Sequence, residues 1–353
     1  MTEAIPQEIH QIPDAIRATV AETRPAAQRA AAAIRERAPR RLYLIGNGTS
    51  LYSSMAAMYT ARALSGPDDP LVLAMPAGDF RYFTPALNRH DVVIGVSASG
   101  EFRDVLAVFE RLRGQCLCVG ITHISGSTIT RLADHSLISG GGSSSVPVMT
   151  KTYASTLTAA YLLALELFAA PETIFDDLAA SAERAAGAIE SAEGLVGEAA
   201  PILAQFESAF HFGAGPGYAA ALETALKMKE MALLHAEGSE TWEMASGPAT
   251  MVSERTLCVA LYTGHESDGA TADGAKHARE WGARVIEVGP RAAANDWHIH
   301  AEAPWFPPFA ALSLVAPMAL IAYRVARERG ATPDRPAWRE RYHTQGMMHI
   351  LGE

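Results

Sequence analysis

The feature that most constrains the fold of this chain is a strand–turn–helix pattern that occurs twice. Residues 41–50 read as an apolar strand that ends in a Gly-x-Gly turn, and a helical pattern follows at once. Residues 209–217 repeat that order, with Gly213 about 167 positions after Gly46. Two further pairs of apolar strands keep the same order: 91–101 with 255–266, and 116–122 with 284–289. Self-similarity at a fixed spacing indicates an internal duplication.

The repeated strands are continuous runs of Val, Ile and Leu that alternate with helical patterns. Such strands are buried on both faces, which predicts parallel sheets with helices on each side. We therefore expect an α/β protein with two doubly wound parallel-sheet, flavodoxin-like domains related by duplication. The predicted parts are an N-terminal helical segment (1–35), a first domain (36–170), a connecting helix or linker (171–200), a second domain (201–330) and a C-terminal tail (331–353).

The composition argues against several classes of protein. Hydrophobic residues make up 49% of the 353 residues and charged residues 19%, which is typical of a globular protein with a large core. The net charge of −10, without a basic stripe, argues against nucleic acid as a partner. The three cysteines lack zinc-site spacing and fit a reducing cytoplasm, where we expect this protein, and the polar start is unlike a secretory signal. The longest apolar stretch, 309–323, is short for a membrane span, so we expect a buried helix and no membrane partner.

Ligand sites in doubly wound sheets lie at the carboxyl ends of the strands. Four loops follow predicted strands there: 46–50, 97–101, 213–217 and 263–267. Neither glycine turn has the third glycine of a dinucleotide-binding fingerprint, and no Gly-Lys-Ser/Thr phosphate loop occurs. The first-half loops instead carry the hydroxyls of Thr49, Ser50, Ser97 and Ser99, which suit a single phosphate. Helix capping alone is the alternative, but two such loops on adjacent strand ends favour ligand binding.

A second group of polar residues lies on the helix that follows the second glycine turn. Glu223, Lys227 and Glu230 stand at i, i+4 and i+7 and therefore share one face. The turn at 213–217 and the start of its helix suit an anion. A carboxylate and an ammonium one and two turns further along would suit proton transfer on that ligand. An ordinary surface ion pair is the alternative interpretation.

Together these motifs resemble the double sugar-isomerase (SIS) domain family. Its members include the isomerase module of glucosamine-6-phosphate synthase, stand-alone aminosugar-phosphate deaminases and fructosamine-6-phosphate deglycases. The similarity covers nearly the whole chain, and the Leu-Glu-x-Ala-Leu-Lys-x-Lys-Glu run is specific. The matching segments are 8–16, Gly46-Asn-Gly-Thr-Ser50, Val96-Ser-Ala-Ser-Gly-Glu101, Val148-Met-Thr-Lys151, Ala221-Leu-Glu-Thr-Ala-Leu-Lys-Met-Lys-Glu230, His235-Ala-Glu237 and Gly247-Pro248.

The resemblance implies a phosphosugar ligand and a role for each matching residue. Glu230 matches the carboxylate that moves a proton between C1 and C2 of the sugar, with Glu223 and Lys227 as supporting polar residues. Substrate or phosphate contacts fall on Gly48, Thr49, Ser50, Ser97, Ser99, Gly100, Glu101 and Lys151. This chemistry needs no metal and no organic cofactor. Members of the family dimerise, so we expect a homodimer, and a monomeric mass in dilute solution would count against it.

The chain departs from the family pattern at several positions. Ser246 stands where the family has the histidine that helps open the sugar ring, and His349 aligns with the lysine that closes over the sugar. A histidine moves protons near pH 6.5 but does not hold a stable imine. Polar residues of the phosphate pocket are replaced by Ala98, Phe102 and Met149. Acid–base help from His349, His235 or Glu243, and a less charged or larger ligand, therefore stay open.

We expect an enzyme, namely a phosphosugar isomerase or aminosugar-phosphate deaminase that works through an enediol or enediolamine, with Glu230, Glu223, Lys227 and His349 as catalytic residues. One alternative is a fructosamine-6-phosphate type of deglycase. Another is a non-catalytic sugar-phosphate sensor that has lost the ring-opening histidine. The retained carboxylates favour the enzyme. Thr2 stands where a glutaminase domain needs a cysteine, so we expect no glutamine-driven transfer in this chain.

Overall fold

The chain folds as an α/β protein in a computed structural model that describes residues 3–291 and 297–339. The described strands form two five-stranded sheets, and neighbouring strands are parallel in both. The fold class predicted from the repeated pattern is confirmed: two parallel, helix-flanked sheets related by duplication.

The first sheet has the strand order β2-β1-β3-β4-β5. Its strands are β1 (Arg41–Gly46), β2 (Leu71–Pro76), β3 (Val92–Val96), β4 (Leu117–Thr122) and β5 (His135–Ile138). The chain passes from β1 to β2 on one side of β1 and then crosses to β3 on the other side. The strand order therefore reverses between β1 and β3. A crevice forms at such a switch point outside the carboxyl ends of the strands.

The second sheet has the strand order β10-β9-β8-β6-β7, which is the order of the first sheet read from its other edge. Its strands are β6 (Ser208–Gly213), β7 (His235–Glu240), β8 (Thr256–Leu261), β9 (Arg284–Gly289) and β10 (Trp297–His300). The switch point of this sheet therefore lies between β6 and β8.

Helices connect and cover the strands. They are α1 (Ala4–His10), α2 (Ile12–Arg37), α3 (Thr49–Leu64), α4 (Ala77–Tyr82), α5 (Arg103–Leu112), α6 (Thr128–Leu132), α7 (Lys151–Leu167), α8 (Glu172–Leu203), α9 (Gly217–Ala232), α10 (Thr241–Ala245), α11 (Asp268–Glu280) and α12 (Ala310–Glu328), with 3₁₀ helices at Pro248–Met251 and Pro307–Phe309. The described residues group into two compact units: 14–144, 151–179 and 337–339 around the first sheet, and 3–13, 145–150 and 180–336 around the second. The finer domain boundaries given above stay a prediction.

The core of the first unit follows from local sequence periodicity. The buried residues of α5 are Val105, Val108, Phe109 and Leu112, which recur at i, i+3, i+4 and i+7 and so form one apolar stripe. That stripe packs against Tyr43 of β1 in a continuous hydrophobic cluster. The helix therefore lies flat on the sheet, and its first residues stay at the carboxyl edge.

The core of the second unit contains one buried imidazole. His211 lies in β6 with no exposed surface, and its Nδ1 is 2.9 Å from the hydroxyl oxygen of Thr224 on α9. Burial, helped by the positive charge of Lys229, lowers the pKa of His211 to about 3. The side chain is therefore neutral at pH 7.

One helix of this unit is long and apolar enough, by composition, to cross a membrane. It spans Pro307–Glu328, and 94% of its most apolar window is buried inside the fold. Such burial is what a core helix of a globular protein shows. The apolar stretch at 309–323 is therefore the buried helix that its sequence predicts.

Candidate functional site

Two of the predicted ligand loops are neighbours at the switch point of the first sheet. Strands β1 and β3 pair directly, with Ile45 opposite Gly95, so the loops that follow them leave the sheet side by side. The hydroxyl residues predicted from these loops are therefore brought to one edge of one sheet. This is the edge at which doubly wound sheets bind ligands.

The loop after β1 is a tight turn that leads straight into α3. Gly48 has a φ of 52°, a conformation that favours glycine, and α3 begins at Thr49. A Cβ on Gly46 would come within 2.7 Å of the backbone of Ser50, so only glycine fits there. Thr49 and Ser50 are both buried in the first turn of α3, whose N–H groups point out of the helix.

The loop after β3 is held by its own serines. Gly100 N–H donates to the Ser97 hydroxyl oxygen at 3.1 Å, and Glu101 N–H donates to the Ser99 hydroxyl oxygen at 3.2 Å. Both hydroxyls keep a hydrogen that a ligand oxygen can accept. The Glu101 carboxylate accepts the N–H of Thr128 at 2.8 Å, so this side chain also fixes the start of α6.

Lys151 begins α7, and its ammonium donates to the carbonyl oxygen of Ser143 at 2.9 Å. His123, just after β4, is 2.9 Å from the Ser139 hydroxyl oxygen through Nδ1 and donates from Nε2 to the carbonyl of Gly142. Lys151 and His123 together hold the 140–145 loop. The sequence indicated the lysine through the family motif, whereas nothing around His123 indicated its role.

A carboxylate that sequence reasoning missed connects the elements around these loops. Asp104, in the first turn of α5, accepts a hydrogen bond from Arg81 of α4 at 2.8 Å. Its other oxygen lies 3.4 Å from the amide nitrogen of Asn47 in the loop after β1. The arginine pairing raises the pKa of the Arg81 guanidinium, so it stays charged. Asp104 therefore fixes the spacing between α5 and the two hydroxyl loops.

The predicted polar face of α9 is a connected triad. The Lys227 ammonium lies 2.6 Å from a Glu230 oxygen and 3.2 Å from a Glu223 oxygen. Lys227 and Glu223 are fully buried, whereas the Glu230 side chain keeps 29% of its surface exposed. Burial alone would lower the pKa of Lys227, but the two carboxylates outweigh burial and raise it. The surface-pair interpretation does not describe this geometry, because two of the three groups are inside the protein.

The second glycine turn and Glu230 lie too far apart along α9 for one small ligand to contact both. Glu230 follows Gly217, the first residue of α9, by thirteen positions. At a rise of 1.5 Å per residue, the two lie about 20 Å apart along the helix axis. A small ligand at the 213–217 turn therefore cannot reach the Glu230 carboxylate.

The second-half loops are occupied by side chains of α11. The Asp268 carboxylate accepts the N–H of Thr263 at 3.0 Å and the N–H of Gly264 at 2.7 Å. In the loop after β6, the N–H of Ala214 donates to the Thr271 hydroxyl at 3.1 Å. The two halves have the same order of strands but differ in these loops. Neutral serine hydroxyls accept the backbone N–H groups of the first-half loop, whereas a carboxylate accepts those of the second-half loop.

The positions that depart from the family pattern have local structural roles. The Ser246 hydroxyl donates to the carbonyl of Trp242 at 2.7 Å and stands exposed at the end of α10. Phe102 packs against the hydrophobic cluster of the first unit, so its replacement of a polar residue serves the core. His235 is exposed at the start of β7. His349 lies outside the described residues.

Within 3–291 and 297–339, no group of three His, Cys, Asp or Glu side chains could hold a metal ion.

These features define a class of protein: duplicated, doubly wound parallel α/β proteins with polar loops at the strand ends of one half. The family model of the SIS domain matches residues 37–166 and 202–289, and the chain belongs to this family. The glutamine–fructose-6-phosphate aminotransferase (isomerizing) of Methanothermobacter thermautotrophicus is 31% identical over 339 residues, which cover 94% of this chain and 55% of that relative. The chain thus spans about half the length of the curated relatives it matches.

Solved structures share the fold. The C-terminal domain of glucosamine-fructose-6-phosphate aminotransferase from Francisella tularensis has a TM-score of 0.86 at 20% identity, covering 95% of this chain and 99% of that one. Glucosamine-6-phosphate deaminase from Thermotoga maritima has a TM-score of 0.73 at 21% identity, covering 95% and 98%. The resemblance read from the motifs is therefore confirmed at the level of family and fold.

Proposed function

We propose that this protein is a phosphosugar isomerase or aminosugar-phosphate deaminase that transfers a proton between C1 and C2 of its substrate. The observation that carries the proposal is the geometry of Glu230. Its carboxylate is partly exposed, and Lys227 holds it from inside the protein at 2.6 Å. A base that must reach a carbon-bound proton needs both features, an accessible oxygen and a fixed position.

The buried part of the triad explains how Glu230 is kept ready. Lys227 is fully buried between two carboxylates, and its raised pKa keeps it positively charged at neutral pH. The charged ammonium beside Glu230 fixes the position of its carboxylate. Glu223 compensates the remaining charge of the ammonium in the interior. A structural ion pair at the surface would need no such second carboxylate.

The proposed chemistry uses this carboxylate twice. Glu230 removes the proton from the carbon next to the substrate carbonyl or imine, the electron pair forms the C1–C2 double bond of an enediol or enediolamine, and the carbonyl oxygen or imine nitrogen takes up a proton from water. The protonated Glu230 then returns its proton to the former carbonyl or imine carbon, while the hydroxyl or amine on the other carbon releases a proton to water and becomes the new carbonyl or imine. One positioned group performs both steps, and such a group typically contributes a factor of about 10² to 10⁴ to the rate.

The hydroxyl loops of the first sheet are the proposed phosphate contacts. Ser97 and Ser99 retain donatable hydroxyl hydrogens, and Thr49 and Ser50 lie in the first turn of α3, where helix N–H groups and the helix dipole favour an anion. Lys151 adds a positive charge at the start of α7.

A second candidate function is a sugar-phosphate sensor. The observation that favours it is Ser246, whose hydroxyl donates to Trp242 and whose ordinary chemistry provides no base near pH 7. Without the family histidine, the protein acts on open-chain or easily opened sugars, uses another acid–base group such as His235 or Glu243, or binds a sugar without converting it. A deglycase that expels an amine would also use Glu230 but needs a further acid.

The test is proton NMR in D₂O with fructose 6-phosphate, glucosamine 6-phosphate and a fructosamine 6-phosphate in turn. We expect deuterium to enter C1 or C2 of one substrate, and Glu230→Gln to slow that exchange by about 10² or more. Glu280→Gln is the matched control, since it removes a carboxylate that pairs with Lys276 on the exposed face of α11. Equal exchange in Glu230→Gln and wild type would refute the assignment. Tight binding without exchange of any substrate would support the sensor.

A further inference from the structure

A cavity of about 620 Å³ opens at the carboxyl edge of the second sheet. It lies beside the ends of β8 and β9, and its walls include Tyr262, His265, Asp268, Pro290, Arg291 and Ala303. Small-molecule sites commonly have volumes of about 300 to 1,000 Å³ and combine apolar walls with a few polar groups. This cavity has both properties, and its lining residues include neither the hydroxyl loops nor the α9 triad.

The first polar group in this cavity is an imidazole with a defined proton position. The N–H of Ser267 donates to Nδ1 of His265 at 3.1 Å. Nδ1 therefore holds a lone pair, and in the neutral ring the proton sits on Nε2. Among residues 3–291 and 297–339, no side chain or carbonyl accepts a hydrogen bond from this Nε2. His265 thus offers the cavity one N–H donor.

The second polar group is a guanidinium. Arg291 follows β9 and lines the same cavity, and within the described part of the chain it makes no hydrogen bond or ion pair. Guanidinium groups bind carboxylate and phosphate oxygens through two parallel N–H donors, which makes arginine well suited to planar anions.

The carboxylate in the wall is held by the loop after β8. Asp268 accepts N–H donors from Thr263 and Gly264 as well as the Thr263 hydroxyl, so its oxygens are turned toward the loop after β8. The polar donors that remain for a ligand are those of His265 and Arg291. The rest of the wall, from Pro290 and Ala303, is apolar and would contact an uncharged body.

The corresponding region of the first half, after β4, is held differently. After β4, the strand that corresponds to β9, His123 donates to the carbonyl of Gly142, and Lys151 binds that of Ser143. The glycine-rich loop is thereby tied to the end of β4 and to the start of α7. The corresponding strands of the second half have the cavity with His265 and Arg291 instead.

We propose that this cavity is a second small-molecule site that binds an organic anion about the size of a monosaccharide phosphate. The anionic group, a phosphate or a carboxylate, contacts Arg291 and His265 Nε2, and the body of the ligand lies on Pro290 and Ala303. This proposal does not depend on Glu230 or on the reaction proposed above. A ligand bound here would act on the second half of the chain without occupying the first-half loops.

The test is isothermal titration calorimetry on a protein that carries Ser97→Ala and Ser99→Ala, so that binding at the first-half loops is weakened. The probes are glucose 6-phosphate, gluconate and uncharged glucose, which share a similar body and differ in their anionic group. We expect one or both anions, but not glucose, to bind in this background. Arg291→Ala should weaken that binding about tenfold or more, because a charge-assisted contact is lost. His265→Phe should weaken it too.

Lys276→Ala is the control for charge, since Lys276 is an exposed cation of α11 outside the cavity. It should leave the affinity within about twofold of the background, below the tenfold step of 1.4 kcal/mol. Tighter binding of glucose 6-phosphate indicates that the site binds a phosphate, and tighter binding of gluconate indicates that it binds a carboxylate. The proposal is overturned if neither anion binds below about 10 mM, or if Arg291→Ala and His265→Phe bind as tightly as the control.

Discussion

The buried imidazole of His211 predicts how the stability of the second unit depends on pH. In the folded chain its pKa is lowered to about 3, whereas its ordinary value is 6.5. Between these values the unfolded chain binds a proton that the folded chain excludes. The free energy of unfolding therefore falls as the pH decreases from about 6.5 toward 3, and this contribution to stability is fully present only above pH 6.5.

The size of the effect follows from the two pKa values. Each pH unit inside that window changes the free energy of unfolding by about 1.4 kcal/mol, and the curvature near 6.5 reduces the first step. Between pH 7 and pH 5, His211 alone should remove about 2 kcal/mol of stability. Replacement by Asn removes the titrating group and keeps a polar atom near the Thr224 hydroxyl. Whatever the stability of the variant at pH 7, its loss between pH 7 and pH 5 should be smaller by about 2 kcal/mol.

The assay is urea unfolding at pH 7 and pH 5 at constant ionic strength, followed by tryptophan fluorescence. Four of the five tryptophans lie in the unit that contains His211, so the signal reports mainly on that unit. His300→Asn is the control, because His300 is exposed in the same unit. If wild type, His211→Asn and the control all lose the same stability between the two pH values, then the imidazole is not held neutral by the fold and the reasoning fails.

Three further predictions concern the triad and the first-half loops. Lys227→Met leaves the buried Glu223 without its cation and should destabilise the protein by about 3 to 5 kcal/mol in urea unfolding. Asp104→Asn weakens the connection between α4, α5 and the hydroxyl loops, so it should raise KM for the phosphosugar more than it lowers kcat in steady-state assays. Gly100→Ala places a Cβ at a φ of 70° and against the Ser127 hydroxyl, and should lower the melting temperature measured by calorimetry by several degrees.

Each of these variants has a matched control. Lys276→Met removes an exposed lysine that also pairs with a glutamate at i+4, and should cost less than about 1 kcal/mol. Asp68→Asn changes an exposed aspartate of the same unit and should leave KM unchanged. Gly114→Ala has a similar φ of 74° but no atom within 4 Å of the new Cβ, so it isolates backbone strain from the clash. Equal effects in a variant and its control would contradict the corresponding prediction.

The fold could be predicted from sequence because its signals are local. Strands of continuous apolar residues, Gly-x-Gly turns and helical spacing each occupy fewer than twenty residues, and their repetition fixed the order of the elements. The hydroxyl loops and the α9 triad were found for the same reason, since spacing along one strand end or one helix face is visible in the sequence.

What escaped prediction depends on contacts between distant segments. Asp104 meets Arg81 and Asn47 only because α4, α5 and β1 pack together, and no motif marks this. Phe102 could not be assigned to the core without knowing which way the start of α5 faces. The distance between the second glycine turn and Glu230 was available from the helix rise. It shows that residues on one helix face need not contact one ligand.

The carboxylate of Asp268 has a consequence for how the two halves of a duplicated chain diverge. Asp268 is tethered a few residues from the N–H groups it binds, so it competes for them at an effective concentration of about millimolar or higher. A free anion would need a comparable concentration, or contacts that Asp268 lacks, to displace it. In the second half, a carboxylate of the chain itself therefore occupies the backbone N–H donors, at a position where the first half presents neutral hydroxyls. One aspartate thus closes the backbone donors of that loop to a ligand while the backbone geometry is kept, so an anion bound in this half must use side-chain donors such as those of His265 and Arg291.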